Sequence, residues 1–244
     1  MAGHSKWANI KHKKAKMDKI KGKVLSRCAR EIIVAAKTGP DPAMNPRLRL
    51  AIEKARAANM TKDKIENAIK KGSGEGGADN IEEIRYEGYG PNGVAVMVDC
   101  MTDNKNRTVG EVRHAFSKSG GNMGTDGSVS YLFNKRGVLT FAKGADESKL
   151  MEVGLDAGAE DIVSEPDGTF TVLTSEAEFV AVKEAFENAG LQAEEAAVTM
   201  EPTTKVELDQ EGAEKVMKLL DMLEDLDDTQ EVYSNAEFPD DMAD

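Results

Sequence analysis

The residues best equipped for chemistry in this chain are cations. In its first thirty-seven residues, MAGHSKWANIKHKKAKMDKIKGKVLSRCAREIIVAAK, nearly every third is Lys or Arg, with one Trp and two His among them. Lys and Arg hold phosphate esters through charge-assisted hydrogen bonds and release condensed counterions as they do so. Trp7, beside Lys6 and followed by His12, is a residue type that stacks on an exposed base. Lys6, Trp7, Lys11, His12, Lys13, Lys14 and Lys16 precede any clear periodicity and are expected on an extended or partly ordered arm. From about Met17 the spacing turns helical. Ile20, Val24, Cys28 and Ile32 recur at i+4, while Lys16, Lys19, Lys23, Arg27, Arg30 and Lys37 fall within roughly an 80° arc beside that stripe. Lys19, Lys23, Arg27 and Arg30 are therefore expected to face phosphates, with Arg47 and Arg49 extending the basic surface. The blander alternative is a solvated basic surface with Trp7 packed on its own helices. Membrane binding by a basic amphipathic helix is not expected, because the apolar stripe has no bulky interfacial aromatics and neighbouring helices are available to cover it.

A second patch lies at Asp103–Thr108, where Lys105 and Arg107 open a helix. They are candidates for a secondary phosphate contact at a helix N-terminus, with plain N-capping by Asn104 as the alternative. Elsewhere the chemistry is thin. No GxxxxGK[ST], GxSxG or HExxH pattern occurs. His4 and His12 sit among cations that oppose a metal ion. His114 reads as a surface or boundary residue; acidic pairs such as Glu194-Glu195 and Asp227-Asp228 have the chemistry to chelate Mg²⁺, but nothing sets them apart from the other acids, which read as a solvated face. The expectation is a protein with no metal, no cofactor, no small-molecule substrate and no enzymatic activity.

Charge is unevenly divided. The net charge of −12 hides a head, residues 1–73, with 19 Lys and Arg against 6 Asp and Glu, a formal +13; the remainder holds 13 against 38, or −25. Such asymmetry points to a polyanion-binding head on an acidic body. Cys28 and Cys100 lie far apart without metal-ligand spacing, as in a reducing compartment. No apolar run approaches the length of a membrane span and no secretory signal pattern is visible, so a cytoplasmic location is expected.

The elements that must position these residues fall into three groups. Residues 1–80 are expected to form a basic helical domain: one helix from Met17 stopped by Thr38-Gly39-Pro40, a second begun by Asn45-Pro46 as N-cap and N1, and a third from Thr61, followed by a Gly-rich linker at 72–80. Residues 81–133 read as two strands around a Gly90–Gly93 turn, a helix from Lys105, and a strand at 128–133. Residues 134–202 alternate as βαββαβ, the ferredoxin-like pattern. Strands and a helix after Pro202 lack a sheet of their own, so 203–244 is expected to complete the domain begun at 81–133, with 134–202 inserted.

Several stretches resemble one family. Met1–His12, Asp41–Ile52, Asn59-Met60, Ile65–Gly74, Tyr86–Pro91, Thr102–Thr108 and Gly124–Phe133 look like the YebC/PmpR family, most specifically in the first eighty residues. Lys13 stands where the family pattern suggests Arg, a mild change for phosphate contact. The resemblance implies an α+β protein of three domains, a helical N-terminal domain and two ferredoxin-like α/β-sandwich domains, one inserted in the other. It implies a cytoplasmic, non-enzymatic regulator of gene expression. Members are generally described as DNA-binding transcriptional regulators, and relatives that include the mitochondrial translational activators of cytochrome c oxidase act on translation, in contact with the ribosome. DNA and ribosomal RNA both remain open as the polyanion.

Overall fold

The computed structural model describes residues 17–75 and 80–239, with side chains of the first helix from residue 22 onward. Residues 1–16, 76–79 and 240–244 lie outside the described residues. The chain divides into two compact units, Met1–Leu132 with Thr204–Asp244, and Phe133–Thr203.

The first unit opens with three helices, α1 (Met17–Ala36), α2 (Pro46–Ala57) and α3 (Lys62–Gly72). Asn45 does more than cap α2. Its Oδ1 accepts the Leu48 N–H at 3.0 Å, and its Nδ2 donates to the carbonyls of Ala35 at 2.8 Å and Gly39 at 2.9 Å. One buried amide thus starts α2 and ties down the exit of α1. Cys28, Ile32, Leu48, Ile52, Ala55 and Ile65 join a common apolar core. Met60 and Ile65, at the staple positions flanking the start of α3, are both buried. A Cβ at Gly72 would lie 2.2 Å from the Ile33 carbonyl oxygen, so only glycine lets α3 approach α1 this closely.

The same unit holds a sheet with strand order β3-β1-β2-β9, built from β1 (Glu82–Tyr89), β2 (Ala95–Thr102), β3 (Asn122–Met123) and β9 (Thr229–Ser234). β1 and β2 pair antiparallel from Glu82↔Thr102 to Tyr89↔Ala95. They are joined through Pro91–Gly93, where Asn92 and Gly93 take positive φ. Helices α4 (Lys105–Lys118) and α7 (Gln210–Asp225) bury Val112, Phe116, Val216, Leu220 and Leu223 in one core with Val96, Val98 and Val232. The late strand β9 pairs with β2 from Val96↔Ser234 onward, so the chain after residue 203 completes the sheet begun at 82. Val206–Glu207 (β8) and Ala236–Glu237 (β10) add a short parallel pair.

The expected strand at 128–133 does not form. Residues 124–130 loop back to β1 and continue into a 3₁₀ turn at Ser130–Leu132. The cause is Glu87, buried on the sheet face opposite α4 and α7. Its carboxylate accepts the backbone N–H groups of Gly127 at 2.7 Å, Val129 at 3.1 Å and Ser130 at 2.6 Å. Those donors are taken by a side chain and are not available to a ladder.

The second unit runs β4 (Phe133–Phe141), α5 (Glu147–Ala157), β5 (Asp161–Ser164), β6 (Phe170–Thr174), α6 (Phe179–Asn188) and β7 (Glu195–Pro202). Its strand order β5-β6-β4-β7, antiparallel throughout, is that of the ferredoxin-like βαββαβ pattern. At Gly137 a Cβ would fall 2.1 Å from Thr174 Oγ1 and 2.6 Å from the Phe179 ring, so this glycine sets how closely α6 lies on the sheet. The sheet of the first unit also carries two helices on one face, but its strands β1 and β2 are consecutive instead of split by a helix.

Candidate nucleic-acid interface

The cations of α1 are placed by its helical spacing, and three of them meet anions of their own chain. Lys23 Nζ donates to the Asp225 carbonyl at 2.5 Å and lies 3.1 Å from its Oδ1. Arg27 donates to the Glu224 carbonyl at 2.6 Å and to Glu224 Oε2 at 3.0 Å. Arg30 NH1 reaches the carbonyls of Asp227 at 2.8 Å and Met101 at 3.0 Å, and Asp228 Oδ1 at 3.1 Å. Apart from the Met101 carbonyl of β2, these acceptors cluster at and just after the C-terminal end of α7, where carbonyls lack intrahelical partners and the helix dipole is negative. The row therefore caps α7 from outside it. Gln230 Nε2 adds a bond to the Arg27 carbonyl at 3.0 Å.

Asp228 is the centre of a second set. Its side chain has no solvent exposure. Arg107 grips it with Nε at 3.1 Å and NH2 at 2.9 and 3.0 Å, and the Thr108 hydroxyl donates to Oδ2 at 2.8 Å. Burial alone would push this carboxyl's pKa up; the Thr108 and Arg107 bonds and the nearby Arg30 charge outweigh it and hold it below the usual carboxylate range. Asn104 Oδ1 accepts the Arg107 N–H at 3.1 Å as the N-cap of α4, and Lys105 Nζ sits 2.5 Å from Glu82 Oε2. Lys105 and Arg107, expected as a phosphate contact, are thus both on carboxylates, and Asn104 caps the helix. Arg47 bonds Glu83 and Glu31, and Arg49 donates to the Pro42 carbonyl at 2.9 Å.

Lys6, Trp7, Lys11, His12, Lys13, Lys14 and Lys16 lie outside the described residues, as does the side chain of Lys19. Lys54, Arg56, Lys64 and Lys70 are exposed on α2 and α3. His114 is exposed on α4. Cys28 and Cys100 are buried, and burial raises the Cys100 thiol to about 12, far from a reactive thiolate. Among the described residues no group of three His, Cys, Asp or Glu side chains is arranged to hold a metal ion, and no helix is long and apolar enough to cross a membrane.

A family model described as the TACO1/YebC second and third domain matches residues 81–236, and one described as the TACO1/YebC N-terminal domain matches residues 5–75. The chain belongs to the TACO1/YebC family. Among its relatives in this family is a probable transcriptional regulatory protein of Pseudomonas fluorescens strain Pf0-1, 59% identical over 244 residues, covering 100% of this chain and 98% of that one. Another, from Francisella tularensis subsp. novicida, bears the same description and is 61% identical over 239 residues, covering 98% and 96%. A crystal structure of a conserved hypothetical protein from Aquifex aeolicus superposes with a TM-score of 0.82 at 49% identity, covering 93% of this chain and 94% of that one. The TACO1/YebC matches thus span the basic helices, both sheets and the seam between α1 and α7.

Glu87, Glu224 and Asp228 carry structural weight that sequence reading did not assign. In Glu83-x-Arg85-x-Glu87 the charges alternate as on a solvated strand face. Asp227-Asp228 follows a helix as many surface pairs do. Only the resemblance around Tyr86–Pro91 gave a signal near Glu87.

Proposed function

We propose that this chain is a non-enzymatic, nucleic-acid-binding regulator of gene expression acting in the cytoplasm, and specifically a DNA-binding regulator of transcription. The observation that carries the reading is the division of charge, +13 over residues 1–73 against −25 over the rest. A polyanion is drawn to the first part and repelled by the second, so the acidic domains orient the chain as well as solubilise it. The relatives' description as probable transcriptional regulatory proteins supports DNA as the polyanion. Lys6, Lys11, Lys13, Lys14, Lys16 and Lys19 supply the phosphate contacts, with His12 beside them and Trp7 stacking on a base. Lys54, Arg56, Lys64 and Lys70 extend this surface.

A second reading, a ribosome-associated factor that applies the same head to ribosomal RNA, is favoured by two features. The exposed lysines of α3 are interleaved with exposed Asp63 and Glu66, and α1 spends Lys23, Arg27 and Arg30 on its own chain. Among the described side chains, neither helix then offers an all-basic face of the kind that suits insertion into a DNA groove. Two measurements on the full chain separate the readings. A saturable footprint on one promoter fragment, surviving excess nonspecific duplex, is the expected result for transcription. Co-sedimentation with ribosomes after DNase treatment, with no footprint, would replace that reading by translation.

A further inference from the structure

The helical segment and the first sheet share one unit but not one apolar core. Ile32, Leu48 and Ile65 belong to one cluster, and Val98, Phe116 and Leu220 to another. Ile81, just before β1, and Met101, near the end of the interior strand β2, join the helical cluster. Around them the seam between α1 and α7 is ionic, and its ion pairs grade along α1. The gradient lies in the acids: Asp225 is 78% exposed, Glu224 10% and Asp228 fully buried, while Lys23, Arg27 and Arg30 keep a similar 27%, 21% and 25%.

We propose that the acidic end of α7 is an internal competitor for the nucleic-acid backbone. Glu224 and Asp225 occupy Arg27 and Lys23 in the free protein and give them up to phosphates when nucleic acid binds. This rests on the nucleic-acid reading above. The chemistry of the exchange is balanced. Arg27 trades the Glu224 carboxylate and carbonyl, and Lys23 the Asp225 carboxylate and carbonyl, for phosphate oxygens that accept from the same donors, and water takes up the two carbonyls at the end of α7. An exposed ion pair such as Lys23–Asp225 is weak and salt-screened, so the seam yields first there. Arg30 stays, because releasing it would leave Asp228 with less compensation in a site closed to water. The seam therefore opens from the Lys23 end about a pinned Arg30. Binding to duplex is weakened by the cost of that opening, and the nucleic acid must out-compete acids already in place.

The test is fluorescence anisotropy on the full chain with a labelled duplex and, separately, a labelled RNA hairpin of matched length. The double variant E224Q/D225N is compared with E211Q/E214Q, which removes the same charge from the opposite end of α7. Inorganic tripolyphosphate as competitor separates a phosphate-chain effect from one that needs a nucleic acid. The expected result is binding tightened about five-fold or more in E224Q/D225N and by less than about two-fold in the control. Equal tightening in both variants, or none in either while the wild type binds, overturns the competitor and leaves the nucleic-acid reading standing. Failure of every form to bind overturns both. Should the double variant not fold, D225N alone keeps the test, since Asp225 is exposed and its change is structurally cheap.

Discussion

Asp228→Ala destabilises the first unit by about 2–3 kcal/mol, less than the cost of breaking a fully buried ion pair, because the stranded Arg107 and Arg30 side chains keep 42% and 25% of their surface in water. The site explains the size. Asp228 is fully buried and is held by Arg107 through two nitrogens, by Arg30 from the other segment and by the Thr108 hydroxyl. The Met101 N–H donates to its carbonyl at 2.9 Å, so the residue also fixes the edge of β2. Truncation leaves two guanidinium groups facing a polar void. Chemical denaturation near pH 7 measures the loss. The same carboxylate predicts a pH dependence. Its folded pKa is depressed, so its contribution is full above the unfolded carboxylate value of about 4 and disappears as pH falls through the lower folded value. Stability of the wild type therefore drops across that acid window, and Asp228→Asn, which cannot ionise, shows a flatter limb there.

Glu87→Ala is expected to cost about 3 kcal/mol, because it strands the N–H groups of Gly127, Val129 and Ser130. Burial pushes the Glu87 carboxyl up, but the three backbone bonds outweigh that and hold it below its ordinary range. The geometry sets the ranking of variants. Oε1 serves Val129 and Ser130 while Oε2 serves Gly127. Glu87→Gln keeps an oxygen for two of the donors and turns an NH2 towards the third, so it loses less than Glu87→Ala. Hydrogen exchange at these three amides reads the effect locally, rising in Glu87→Ala before global stability is lost. The sign with pH matches Asp228: protection is present above the unfolded Glu value and falls as Glu87 protonates.

What the sequence discloses about this fold is mostly local. Asn45-Pro46 marks the start of α2 through cap chemistry confined to four residues. The βαββαβ order of Phe133–Pro202 is written in alternating periods of two and 3.6. The return of β9 to β2 follows from strands that otherwise lack a partner. What stays hidden are contacts made across long sequence separations. Arg27 and Glu224 are 197 residues apart, and Arg107 and Asp228 are 121 apart. A row of cations on one helix face looks the same whether phosphates or distant carboxylates meet it, so the contacts of Lys23, Arg27 and Arg30 with the end of α7 are not legible in the sequence. Glu87 is concealed for a related reason. Its period-two neighbours Glu83 and Arg85 suggest a wet strand face, and no local pattern announces a loop folding over it.

In the free chain Lys23, Arg27 and Arg30 already sit on acceptors of their own chain, so the cations proposed to meet phosphates first are those before residue 17. The direct measurement is the salt dependence of nucleic-acid binding for the wild type and for a chain with Lys6, Lys11, Lys13 and Lys14 changed to Glu. If these lysines carry the phosphate contacts, the variant loses most of its affinity and the slope of log K against log salt becomes shallower by about 3.6, about 0.9 for each of the four lost contacts. A folded variant that binds with the wild-type affinity and the wild-type slope contradicts it.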